Sequence, residues 1–125
     1  MTPLPPVHPP APLPSDPTDG LDPVLLDPTR LAIVALLSAA EWVEFGVVLQ
    51  RLAVAQPALS KQAVHLERSG HLAIRKGYVG KRPRTWLQLT PDGRTRLEGH
   101  VTALRRIADH AAALPTNPDS DSQRD

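Results

Sequence analysis

The spacing of apolar and polar positions changes several times along this chain, and each change marks an element. Leu31, Val34 and Leu37 recur at helical spacing, and Ile33, Leu36 and Ala40 widen the apolar face, which predicts a core helix. Asp22-Pro23 and Asp27-Pro28 each set a capping residue before a proline suited to the first helical position, so two successive helix starts are expected. Arg30, in the first turn of the second, is suited to holding a carboxylate or a phosphate. Residues 41–44 are too few for a helix and strand-like in type, with Trp42 as a packing residue. Phe45, Val48, Leu49 and Leu52 then return to helical spacing and predict a helix over 45–53.

The stretch 56–70, QPALSKQAVHLERSG, organises the rest. Leu59, Ala63 and Leu66 fall at i, i+4 and i+7 and form one apolar stripe, while Gln56, Pro57, Ser60, Lys61, Gln62, Val64, His65 and Arg68 lie off it. Only Val54-Ala55-Gln56 separates this helix from the one before, so the two form a helix-turn-helix whose second member is narrow enough to enter a major groove. Gly70 is suited to end that helix. Beyond it, Leu72 and Ile74 alternate with Ala73 and Arg75, and Thr85, Leu87 and Leu89 share a face, which predicts a hairpin around a tip at 77–83. Trp86 is expected to pack at the base of this hairpin. Thr90-Pro91 caps a final helix that remains helix-compatible to Leu114, with Pro115 beyond it. Leu97, Val101, Leu104, Ala108 and Ala111 step by 4, 3, 4 and 3 along it, widened by Ile107 and Leu114, and make a seam suited to a second protomer, with packing back on the chain's own core as the alternative. The fold class expected is mainly α with a small antiparallel β-hairpin: a winged helix-turn-helix with a long C-terminal dimerisation helix.

Charge sharpens this picture. The net charge is only +1, yet residues 57–96 hold nine Lys/Arg against two Asp/Glu, so a polyanion is the expected partner. Five of those cations, Arg75, Lys76, Lys81, Arg82 and Arg84, fall within ten residues of the hairpin, where they can meet phosphates or enter a minor groove. The first twenty residues contain eight prolines and favour polyproline II or disorder, and 115–125 is short, polar and acidic. The expected organisation is therefore a Pro-rich tail at 1–20, one domain at 21–114 and an acidic tail at 115–125.

Together LDPVL and LDPTRL at 21–31, ALSKQAVHLERSGHL at 58–72 and VGKRPRTWLQLTPDGR at 79–94 resemble the winged-helix transcriptional regulators of the ArsR/MarR superfamily. The resemblance implies a homodimer on a palindromic operator of double-stranded DNA, usually repressing nearby genes. By position it implies groove contacts from Ser60, Lys61 and Gln62 and wing-tip contacts from Lys81 and Arg82. Where many relatives have a large aliphatic residue, this chain has Ala63.

Other chemistry finds little footing. Zero cysteines exclude disulfides and thiolate metal sites. Some ArsR-type sensors bind zinc between terminal helices, but His100 and His110 are ten residues apart, about 280° around one helix, and cannot chelate one ion without a second chain. Surface or interface positions are expected for the histidines, including His65 and His71. No cofactor, metal or catalytic arrangement is expected, and the sequence names no small-molecule effector. The chain has no apolar run of about 18 residues and no signal-peptide pattern, so the expected address is cytoplasmic, away from membranes.

Overall fold

The computed structural model describes residues 16 and 18–113. The expected acidic tail and most of the Pro-rich tail lie outside the described residues. Order starts earlier than Leu21, in a turn where the Asp19 amide donates to the Asp16 carbonyl at 2.8 Å. A 3-10 helix at Pro23–Leu26 and helix α1, Pro28–Leu37, follow the two Asp-Pro pairs as expected. Asp22 accepts from the Val24 amide and Asp27 from the Arg30 amide, so each aspartate closes one of the donors a helix start leaves open.

Strand β1 is Val43–Glu44, and helix α2 is Phe45–Leu52. Ala53 ends α2 in the left-handed region, with φ 51° and its amide donating to the Leu49 carbonyl. This single residue turns the chain sharply into helix α3, Gln56–Arg68. Strands β2, Leu72–Val79, and β3, Arg82–Leu89, form the hairpin, and helix α4 runs over Pro91–Ala112. The sheet has the order β1-β3-β2 and is antiparallel throughout, so the hairpin gains a third strand through Val43 opposite Leu87.

The expected fold class holds. The core lies between α1, α2 and α3 on one side and the sheet on the other, with Ile33, Val34, Leu37, Val48, Leu59, Leu66 and Leu87 fully buried. The seam expected along α4 divides in two. Gly93, Leu97, His100 and Ala103 are buried within the protomer, whereas Leu104 is 41% exposed and Ala108 and Ala111 are exposed. Leu97 therefore belongs to the protomer's own core, with 8% exposure, and is not available to a partner. The reason is length: a helix of 22 residues spans about 33 Å, so its first turns cover the small domain and its last turns project past it.

Two histidines expected at surface or interface positions are instead buried within the protomer. The His71 ring meets Asp22 through Nε2 and Ser69 through Nδ1, and His100 Nδ1 accepts the Asp22 amide at 3.0 Å. Asp22 thus ties the 3-10 helix to the end of α3, the start of β2 and the middle of α4. Burial works to raise the Asp22 carboxyl. The hydrogen bonds from His71 and the Val24 amide, with the nearby charges of His71 and Arg96, outweigh it and hold the group below its ordinary value. Gly93 completes this corner, because a Cβ there would overlap the His71 carbonyl oxygen.

Candidate nucleic-acid interface

Helix α3 is held by its Leu59, Ala63 and Leu66 stripe, as its spacing predicted. At 100° per residue, Pro57, Lys61, Val64 and Arg68 fall on the opposite side, and all four are exposed. Ser60 and His65 flank them and are exposed too, as is Gln56 at the start of the helix. Val64, at 39% exposure, is an apolar group in a polar setting, the kind of surface that suits a thymine methyl.

Gln62 stands apart. It is half-buried toward α1, and its Oε1 accepts from Arg30 Nη1 at 3.2 Å, while Arg30 Nε donates to the Val24 carbonyl at 2.7 Å. Arg30 therefore holds carbonyl oxygens of its own chain rather than a carboxylate or phosphate. Sequence spacing alone could have warned of this, since Gln62 lies next to the Leu59–Leu66 stripe rather than opposite it.

The hairpin register sorts the basic residues onto two faces. Leu72, Ile74 and Lys76 pair with Leu89, Leu87 and Thr85 on the face toward α3. Arg75, Gly77 and Val79 pair with Trp86, Arg84 and Arg82 on the outer face. Arg84 Nε is 3.1 Å from Glu44 Oε1, and the Arg75 guanidinium sits 5.9 Å over the Trp42 ring. Lys76 is thus turned toward α3, while Arg75 and Arg84 have neighbours on the far side. Lys81 and Arg82 are exposed at the tip.

Between α3 and the sheet runs a groove of about 580 Å³, lined by Gln56, Ser60, Ala63, Val64, Lys76 and Thr85 among others. The small side chain of Ala63, only 2% exposed, lies along this groove, where a larger aliphatic residue would fill space. No group of three or more His, Asp or Glu suited to a metal ion occurs among the described residues. No described helix is long and apolar enough to cross a membrane.

A groove-sized helix seated on a three-helix core, followed by a basic hairpin and a long helix, defines a winged helix-turn-helix of the DNA-binding class. Comparison with known families agrees: residues 29–108 match the winged helix DNA-binding domain, and the chain belongs to that family. It is similar in structure to a transcriptional regulator homologue from Pyrococcus horikoshii, with a TM-score of 0.66 and 25% identity over 73% of this chain and 89% of that one. The Mycobacterium tuberculosis transcriptional regulator MOSR, solved in complex with DNA, gives a TM-score of 0.59 and 20% identity over 85% of this chain and 77% of that one. A PadR-like transcription factor from Bacteroides fragilis gives 0.61 and 17%, over 69% and 88%. No curated protein matches the chain. The resemblance to winged-helix transcriptional regulators therefore holds, and DNA binding is the activity of the family.

Proposed function

We propose that this chain is a sequence-specific transcriptional regulator that binds a palindromic operator as a homodimer and represses the genes beside it. The observation that carries the reading is the side-by-side placement of an exposed Pro57, Lys61, Val64 and Arg68 stripe on α3 and a hairpin with free basic groups at its tip. In this reading Lys61, Val64 and Arg68 address base edges and adjacent phosphates, with Gln56, Ser60 and His65 at the margins. Lys76, Lys81 and Arg82 neutralise phosphates along the flank or enter the neighbouring minor groove. Gln62 acts through Arg30 by setting the angle of α3, and Arg75 and Arg84 contribute charge without direct contact.

The dimer is supported by the projecting half of α4. Leu104, Ala108 and Ala111 share one exposed face, with Val101 and Ile107 half-buried beside them, and a second copy of the same helix would cover it. Two-fold symmetry then puts the reading helices about 10 base pairs apart, or a multiple of that, hence the palindrome. Repression follows from the resemblance.

The purified full chain should shift its own upstream DNA in a gel titration, and a scrambled duplex of equal length should compete poorly. Equal, weak retention of both duplexes would leave only a general polyanion binder. Retention of neither would turn the domain into a protein-interaction module, since a fold does not fix its function.

A further inference from the structure

The chain has four aromatic residues, and only Phe45 packs against the core. Trp42 and Trp86 lie on the outer face of the sheet, away from α3, where they line a cleft of about 420 Å³ with Arg75 and Gly77, and Lys76 and Tyr78 border it along the edge strand. Gly77 makes the floor: a Cβ there would stand 3.1 Å from Trp86 Cζ3, so the bare backbone lets the indole lie against the strand. Tyr78 is 74% exposed and forms an open rim. The lining holds two cations and no acid. Among the described residues, neither indole N–H nor the Arg75 guanidinium has a hydrogen-bond acceptor.

We propose that this cleft docks the chain's own Pro-rich segment, residues 1–15. That segment has seven prolines and no Lys or Arg. An extended proline-rich strand presents flat ring faces and carbonyl oxygens without internal hydrogen bonds. Such a strand needs what this cleft supplies: aromatic rings to stack on, and indole and guanidinium donors to meet its carbonyls. A strand of this composition, with φ restricted at each proline, gives up less conformational freedom on docking than an ordinary peptide would. A shallow cleft suits a strand better than an enclosed ligand.

Tethering adds to this. The turn before Leu21 is anchored to α4, with Gly20 against Ala103 and Arg106 Nη1 donating to the Asp19 carbonyl at 3.3 Å. Fully extended, the fifteen residues upstream of Asp16 would span about 46 Å at 3.1 Å each, so the first residues of the segment can lie well away from the anchored turn. A short tether holds its end at an effective concentration of about a millimolar, so weak stacking is enough for occupancy.

The test uses the full chain and its two tryptophans, both of which lie in the cleft. Pro5, Pro6, Pro9 and Pro10 are changed together to Ser, outside the folded domain. Tryptophan emission should shift to the red and acrylamide quenching should rise relative to the unmodified chain. A free peptide of residues 1–15, added to the substituted chain at about 1 mM, should reverse both changes. Identical spectra and quenching in the two chains, or no response to the peptide, would overturn the proposal. A difference that disappears on dilution would assign the occupant to another copy's tail and overturn docking within one chain. Quenching indifferent to the prolines but relieved by duplex DNA would assign the cleft to nucleic acid.

Discussion

Arg30 Nη1 donates to Gln62 Oε1 at 3.2 Å, and the same guanidinium holds the Val24 carbonyl through Nε at 2.7 Å. One side chain thus clamps the 3-10 helix, α1 and α3 together. Arg30→Ala should cost about 1–2 kcal/mol in urea unfolding, since hydrogen bonds from a charged donor contribute roughly 1.5–3 kcal/mol and this one is partly exposed. In a double-mutant cycle with Gln62→Ala, a coupling of about 0.5 kcal/mol or more is expected. Simple additivity would mean the clamp does not hold in solution.

Helix and hairpin should divide the work on DNA. Neutralising Lys81 and Arg82 in both protomers removes up to four phosphate contacts, which lowers the log–log salt slope by up to about 3.6 at roughly 0.9 per contact. Affinity for specific and scrambled duplexes should fall alike. Lys61→Ala or Val64→Ser should weaken mainly the specific complex, by about 1–3 kcal/mol. A fluorescence-anisotropy salt series on both duplexes separates the two effects.

The two halves of α4 should respond differently. Leu104→Glu should yield monomers in sedimentation, with an unfolding midpoint that no longer depends on protein concentration, because the side chain is 41% exposed in the protomer and contributes through the partner. Leu97→Ala should cost about 2–4 kcal/mol of stability by opening a cavity in the protomer. A monomeric mass for the unmodified chain at micromolar concentration would sink the dimer.

The Asp22 corner should show in the pH dependence of stability. Because its folded carboxyl titrates below the ordinary value of 3.8, the contribution is fully present above that value. It is lost progressively as pH falls below 3.8 toward the depressed folded value. Asp22→Asn should flatten that acid limb and cost about 1–3 kcal/mol at neutral pH, where a hydrogen-bonded charge is lost. Thermal unfolding across a pH series is the measurement.

Ala53 offers a test in the stabilising direction. Its φ of 51° is costly for a residue with a Cβ, by roughly 1 kcal/mol, and glycine carries no such penalty. Ala53→Gly should therefore leave stability unchanged or raise it by a few tenths of a kcal/mol, because glycine's greater unfolded-state freedom opposes the relief. A large loss would show that the methyl group, not the turn, matters there.

The sequence by itself determined the order of elements and the inward face of most of them. Leu59, Ala63 and Leu66 are buried at the spacing that marks them, and the Asp-Pro and Thr-Pro pairs cap the helices they precede. These properties are local, because capping and amphipathic period depend on residues within one or two turns. Tertiary structure decided what no period encodes. His71 and His100 are buried because Asp22, 49 and 78 residues away, supplies their partners. Leu97 and Leu104 sit on the same repeat along α4, yet one is core and the other surface, since the protomer's own apolar core reaches only the first. Arg75, Lys76 and Arg84 read as one basic run, but the pleat sends Lys76 toward α3 and the arginines to a face already occupied by Trp42 and Glu44. Periodicity tells which side of an element is covered; only packing tells by what.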